Sequence, residues 1–239
     1  MTMPTALPLT HALQRLRGGL VVSCQAPPED PLSGPEMMSR LARSVVAGGA
    51  VGIRAEGLDD LAAIRQHVEV PIIGLVKEGT AGVYITPTAA HAEAVAALGV
   101  ELVAVDATDR PRPDGRPLGD TIAAVHRSGA GLVADVADLD QGRAAAAAGA
   151  DVVATTMSGY VGGSVPDGPD LRLVAALAAE LSVPVIAEGR YRTAEQVRAA
   201  LAAGAWAVVV GTAITRPQII TRTLIDAVRA TPTPPDQEP

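Results

Sequence analysis

The 239-residue chain contains no phenylalanine, one tryptophan, one cysteine and one lysine. With aromatic residues at only 2%, its core must be packed from aliphatic side chains, and a hydrophobic content of 48% supplies enough of them for a full-size domain. That composition excludes a chain disordered over most of its length. A single cysteine, Cys24, cannot close an intrachain disulfide, which fits a reducing compartment. Basic charge is also scarce. A net charge of −7 leaves no excess to neutralise a phosphate backbone, so nucleic acid is not expected as a partner. No stretch approaches the roughly eighteen consecutive apolar residues of a spanning helix. The segment from Met1 to Arg17 lacks the uninterrupted apolar region of a secretory leader and carries its arginines at the wrong end. The sequence therefore predicts a cytoplasmic protein with neither a membrane nor nucleic acid as its partner.

Lysine is normally among the commonest residues. Here eighteen of the nineteen basic side chains are arginine, and Lys77 stands alone. A bias that replaces lysine wherever arginine will serve leaves the survivor as a candidate for a task arginine cannot perform. A chance leftover is the competing reading, and composition does not separate the two.

What the sequence does contain is a recurring join, in which a helical stretch ends at glycine and a short β-branched run follows. It occurs at Gly49-Ala50-Val51-Gly52-Ile53, Gly99-Val100-Glu101-Leu102-Val103, Gly129-Ala130-Gly131-Leu132-Val133, Gly149-Ala150-Asp151-Val152-Val153 and Gly204-Ala205-Trp206-Ala207-Val208. Near-continuous aliphatic runs suit parallel strands covered on both faces. Pro71 and Pro184 open two more such runs, where proline costs no ladder bond. With 19–25 as the opening strand, the expected strands are 19–25, 50–55, 71–76, 101–106, 131–136, 151–156, 184–188 and 206–211. Helical spacing lies between them, including 118–126, 169–181 and a capping-box signature at Thr193-Ala194-Glu195-Gln196. Eight βα units with nothing left over predict an α/β fold, a single (β/α)8 TIM barrel spanning residues 10–230. Arg110 to Gly119 reads as a Pro-rich loop and 231–239 as a disordered tail.

In such barrels the active site lies at the C-terminal ends of the strands, so a polar residue that closes an apolar run is informative. The sequence supplies Gln25, Arg54, Lys77, Asp106, Asp135, Thr155 and Thr156, Glu188, and Gly211-Thr212 at successive strand ends. Any one of them could be a solvated loop residue or half of a rim salt bridge; the full ring argues for a site. Among apolar walls at a barrel mouth, an ammonium is partly desolvated and gives up its proton more readily, whereas arginine stays protonated. A neutral amine can abstract a proton beside a carbonyl or attack the carbonyl to form a Schiff base. Gly189 and Gly211-Thr212 offer bare amides after strands seven and eight, the usual phosphate site of this fold, with Arg190 and Arg216 near enough in sequence to add charge.

Other chemistries find less support. His67, His91 and His126 fall in helical stretches and His11 in an N-terminal arm, with no metal-ligand spacing, so no metal is expected. Cys24 alternates with Gln25 and should face the packing layer. Ser23-Cys24-Gln25-Ala26-Pro27-Pro28 lacks the glycines of a dinucleotide fingerprint, and no cofactor is expected.

Seven blocks, Ser23-Cys24-Gln25-Ala26, Gly49 to Ala55, Pro71 to Lys77, Tyr84-Ile85-Thr86-Pro87-Thr88, Val105-Asp106-Ala107-Thr108, Ala187-Glu188-Gly189-Arg190 and Val210 to Pro217, together resemble the N-acetylmannosamine-6-phosphate 2-epimerase family. The resemblance implies an isomerase of aminosugar and sialic-acid catabolism that works on a phosphorylated N-acetylhexosamine without metal or nicotinamide. It implies Lys77 and Glu188 as catalytic residues. It also implies substrate contacts at Gln25, Arg54, Asp135 and Arg216 and at the amides near Gly189, Gly211 and Thr212; Asp106 lies in a family block without a clear role. It further implies a homodimer, with the helix 218–230 as a candidate contact. The sequence departs from the family in a Gly/Ala-rich stretch from Glu78 to Val83, in Val136-Ala137-Asp138 where hydroxyl residues are expected, and in Leu224 where an aromatic is usual. Two rival readings remain: a Schiff-base aldolase using Lys77, and a non-catalytic sugar-phosphate sensor.

Overall fold

The computed structural model describes residues 6–79, 82–162 and 165–230. Its chain runs α1 (Leu9–Leu16), β1 (Leu20–Cys24), α2 (Pro35–Ala47), β2 (Gly52–Glu56), α3 (Leu58–Arg65), β3 (Ile72–Leu75), α4 (Ala89–Ala96), β4 (Leu102–Asp106), α5 (Leu118–Arg127) and β5 (Gly131–Asp135). It continues through α6 (Leu139–Ala147), β6 (Val152–Ala154), a 3-10 turn (Thr155–Met157), α7 (Leu171–Glu180), β7 (Val185–Glu188), α8 (Ala194–Ala202), β8 (Ala207–Val210), α9 (Thr212–Thr215) and α10 (Pro217–Ala230). The eight strands form one closed parallel barrel, shut where Leu20 of β1 pairs with Val208 of β8. The (β/α)8 architecture read from the sequence is thus the one observed. The expected tail at 231–239 lies outside the described residues, as do Thr80 and Ala81 of the loop after β3.

The glycine joins explain why helices stop where they do. Gly49 and Gly149 take φ values of +99° and +103°, which an L side chain adopts only with strain, and each reverses the chain into the next strand. Two aliphatic layers result. Inside the barrel, Ile73, Leu75, Leu102, Val133, Val152, Ile186 and Val209 fill the lumen; outside it, strand faces pack against helices through residues such as Cys24, Ile53, Ile72, Val103 and Leu132. No phenylalanine is needed, because branched aliphatics interdigitate in layers across the lumen. Cys24 is fully buried, and burial pushes its thiol up to about 12, so it is a packing residue.

The N-terminal arm expected around His11 is instead the helix α1, and it closes the barrel floor. Leu16 is fully buried in the lumen cluster, with Leu9 and Leu13 packed against it. A Cβ on Gly131 would stand 2.5 Å from Leu9 Cδ1, so the absent side chain makes room for the plug. Trp206 Nε1 donates to the Leu13 carbonyl at 2.7 Å, and the Arg17 guanidinium lies 4.8 Å from the Trp206 ring centre. At the same end the buried Arg65–Glu101 pair, 3.0 Å apart, also takes the Ile72 amide on Glu101 Oε2 at 2.8 Å.

Strand ends differ from expectation by a few residues, with consequences for the site. The sixth strand stops at Ala154 because the chain tightens into the 3-10 turn, which turns Thr155 and Thr156 across the mouth. The second strand extends through Glu56, so Arg54 lies within it and points into the lumen. Asp138 caps α6 by accepting from the Gln141 amide at 2.9 Å, which accounts for its place after Asp135. Thr193 and Gln196 form the expected capping box of α8. Among the described residues no helix is long and apolar enough to cross a membrane.

Candidate active site

A cavity of about 380 Å³ opens at the C-terminal ends of the strands. Gln25, Arg54, Lys77, Glu188, Gly189, Arg190, Gly211, Thr212 and Arg216 line it, together with Ser23, Tyr84, Thr156, Tyr160 and Tyr191. The structure therefore brings together every sequence-predicted site residue except Asp106, Asp135 and Thr155, whose hydroxyl donates instead to the Glu188 carbonyl at 2.8 Å.

Arg54 organises the centre. Its guanidinium is 1% exposed and meets Asp135 in a two-pronged contact, Nη1 to Oδ1 at 3.1 Å and Nη2 to Oδ2 at 2.7 Å. Thr156 Oγ1 donates to the same Asp135 Oδ1 at 2.6 Å. Asp135 is fully buried beneath Arg54, so it acts on the cavity through the guanidinium. Burial by itself would lower the Arg54 proton affinity; Asp135 first and Glu188 next carry it above its ordinary value, and the group is a fixed cation.

Glu188 is the second carboxylate on Arg54, with Oε2 3.1 Å from Nη1. The contact lacks hydrogen-bond alignment, and buried Oε2 has no hydrogen-bond partner among the described residues. Burial is the main cause that pushes the Glu188 carboxyl up to about 7; Arg54 pulls it down, and Asp135 adds to the rise. Such a group both holds and releases a proton near neutrality. The two carboxylates thus have different environments and different jobs: Asp135 stays hydrogen-bonded under Arg54, and Glu188 faces the cavity.

Lys77 sits two residues beyond the end of β3, in a single antiparallel bridge to Ile85. The apolar walls expected around it are replaced by polar ones: its side chain is 37% exposed, and Nζ lies 2.6 Å from Glu56 Oε2 and 2.8 Å from Gln25 Oε1. Gln25 is oriented in turn by donating from Nε2 to Ser23 Oγ at 2.9 Å. Glu56 lies one residue beyond the expected end of β2 at Ala55. The missed signal was alternation, since residues 54 and 56 share the inward face of one strand.

Asp106 is fully buried and outside the cavity lining. Its Oδ1 accepts from the Thr108 amide and hydroxyl at 3.1 and 2.7 Å, and its Oδ2 from Arg110 Nη2 at 2.6 Å. Asp106 thereby anchors the Pro-rich loop, and Arg110 lies 5.8 Å from the ring centre of Tyr84, a lining residue. Arg190, whose φ is +63°, donates to the carbonyls of Gly168 and Ser158 at 2.6 and 2.5 Å and so ties down the segment after β6. Arg216 lies 3.2 Å from Asp30, and its buried Nε has no hydrogen-bond partner among the described residues. Gly211 precedes α9 without a side-chain cap, so the first amides of that short helix begin at the cavity wall.

A closed parallel barrel with a fixed cation, a carboxyl raised to about 7 and an amine at its C-terminal mouth has the architecture of a (β/α)8-barrel enzyme. Residues 38–230 match the family described as "Putative N-acetylmannosamine-6-phosphate epimerase" (NanE), and the chain belongs to that family. A Cutibacterium acnes protein described as "Putative N-acetylmannosamine-6-phosphate 2-epimerase" is 50% identical over 218 residues, covering 90% of this chain and 95% of its own. A Caldanaerobacter subterraneus protein with the same description is 41% identical, over 91% of this chain and 94% of its own. The solved N-acetylmannosamine-6-phosphate 2-epimerase of Clostridium perfringens superposes with a TM-score of 0.88 at 39% identity, covering 91% of this chain and 96% of that one.

Proposed function

We propose that this chain inverts C2 of N-acetyl-D-mannosamine 6-phosphate to give N-acetyl-D-glucosamine 6-phosphate, a step in aminosugar and sialic-acid catabolism. The observation that carries this reading is that the only lysine and a carboxyl near neutrality line one cavity with bare backbone after β7 and β8. In the open-chain sugar, the Lys77 amine takes the C2 proton on its nitrogen lone pair. The C–H electron pair forms the C1–C2 double bond, and the C1 carbonyl oxygen becomes an enolate oxygen. Arg54 or Gln25, both on the cavity wall, stabilises that oxygen. Glu188 in its protonated form then gives its proton to the opposite face of C2 as the enolate oxygen re-forms the C1 carbonyl, and exchange with solvent takes the proton from Lys77 and restores one to Glu188. The amides near Gly189, Gly211 and Thr212, with Arg216, hold the phosphate and align C2 with the two groups. Arg190 supports this end by fixing the neighbouring segment.

The test is turnover of N-acetylmannosamine 6-phosphate in deuterium oxide. Deuterium should appear at C2 of the product, and product without it would sink the proton-exchange mechanism. Lys77→Arg should fold normally and lose essentially all activity, because a guanidinium cannot give up its proton near neutrality. A phosphorylated sugar does not diffuse through a lipid bilayer, so the activity belongs in the cytoplasm. The same reading makes the protein a homodimer, with the exposed apolar side chains of α10 at the contact.

A further inference from the structure

Three adjacent strands each contribute one side chain to a cluster centred on Nζ of Lys77: Gln25 follows β1, Glu56 ends β2, and Lys77 itself follows β3. The backbone at Lys77 is already pinned. Ile85 bridges to it, Glu78 N donates to the Tyr84 carbonyl at 3.0 Å, and Thr86 N donates to the Val76 carbonyl at 2.7 Å. What remains free is the flexible four-carbon stem, whose ammonium has no intrinsic orientation. Gln25 lines the cavity together with Lys77, and Glu56 does not. Glu56 is 31% exposed at its side chain and lies 2.6 Å from Nζ. It also follows Arg54 by two residues on the inward face of β2, so the strand that seats the buried cation seats this carboxylate one step nearer the mouth.

We infer that Glu56 is a positioning residue for Lys77, fixing Nζ by a charge-assisted hydrogen bond so that its remaining lone pair or proton faces C2 of the bound sugar. The inference rests on the proton-exchange reading given above. Gln25 Oε1 accepts a second hydrogen bond from the same Nζ at 2.8 Å, so the amine is held from two strands. A displacement of about 1 Å in a reacting group costs on the order of 100-fold in rate. The effect should fall on the chemical step, because Glu56 does not touch the space the sugar would occupy.

Glu56→Ala should therefore lower kcat about 100-fold with KM within about three-fold of the wild type. Glu56→Gln, which keeps an acceptor oxygen at the same reach without the charge, should lose only about ten-fold. A second readout does not depend on turnover. Lys77 is the only lysine, so acetic anhydride followed by peptide mass mapping reports on its Nζ directly, and acetylation should be several-fold faster in Glu56→Ala than in the wild type. A kcat for Glu56→Ala within two-fold of the wild type, or a loss carried wholly by KM, overturns the proposal, as does an unchanged acetylation rate. Should Glu56→Ala fail to fold, Glu56→Gln decides on the same two measurements, with wild-type kcat as the overturning result. If the wild-type protein itself does not interconvert the two sugar phosphates, the epimerase reading fails, and the acetylation rates still show whether Glu56 holds Lys77.

Discussion

Arg54 holds two carboxylates that differ in standing, and the difference sets how each responds to pH. Asp135 has both oxygens on the guanidinium and a third hydrogen bond from Thr156. Glu188 has a charge contact and an unpartnered buried oxygen. A carboxyl raised by burial to about 7 binds its proton more tightly in the folded chain than in the unfolded one. Its contribution to stability is therefore fully present below its ordinary value of 4.5 and is lost as pH rises through about 7. The swing is on the order of 3 kcal/mol. Glu188→Gln cannot titrate, so the wild type should lose stability relative to this variant between pH 5 and pH 8, read from urea midpoints. Parallel curves across that range would show that Glu188 is not raised. Removing the negative charge should also flatten any limb near pH 7 in kcat/KM of whatever activity survives. Glu56 answers to different physics, since it is exposed enough that its worth lies in the geometry it gives Lys77 and little in net stability.

At the scale of elements, the barrel was legible because its punctuation is local. Glycine at a helix end with an aliphatic run after it precedes five of the eight strands and proline opens two more, and a left-handed glycine such as Gly49 leaves few alternatives for the chain beyond it. The placement of Lys77 and Glu188 at the barrel mouth was legible because a charged residue closing an apolar run has few places to go in this fold. Three features were hidden. The plug α1 is eight residues long and reads as an arm, since its partners, Gly131, Trp206 and the lumen leucines, are distant in sequence. Asp106 and Asp135 end neighbouring strands in identical patterns and pair directly in register, yet one anchors a loop and the other seats Arg54; only the third dimension separates them. Glu56 was lost to a one-residue error in a strand end. The plug carries its own test. Leu16 is fully buried at the floor, opposite the cavity, so Leu16→Ala should cost about 2–5 kcal/mol. That corresponds to a fall in Tm of roughly 4–20 °C for a chain of this size. Turnover at 25 °C should stay close to wild type, because the substitution is far from the mouth. A Tm within about 2 °C of the wild type would mean that α1 does not fill the floor.

At the scale of the whole molecule, α10 is the element the barrel does not use. None of its residues is buried, and Leu224, Ile225 and Val228 are exposed by 63%, 43% and 71%. Ile220, Leu224 and Val228 recur at every fourth position and form one stripe, whereas Arg222, Asp226 and Arg229 lie on other faces. An apolar stripe of this kind left in water is unusual for a monomer and marks a contact surface. A fourteen-residue helix is only about 21 Å long, too short by itself to bury the roughly 800 Å² per partner of a stable interface. A second copy meets this need most simply, because a two-fold axis beside α10 would pair the stripe with itself and bring α9 and the neighbouring loops of both copies into the contact. The chain should therefore run in size-exclusion chromatography with light scattering at twice its 24.2 kDa mass. Leu224→Asp combined with Val228→Asp should shift it to the monomer mass, since two carboxylates would then face their symmetry mates across a desolvated surface. A wild type that is monomeric at micromolar concentration, or a double variant that remains dimeric, would remove α10 from the interface. Because α10 follows directly on Arg216 and contains Gln218, both of which contact Asp30, a dimer contact on α10 would begin one turn from a side chain of the cavity wall. Monomerisation should consequently raise KM for the phosphorylated sugar more than it lowers kcat, which steady-state kinetics of the double variant would read directly.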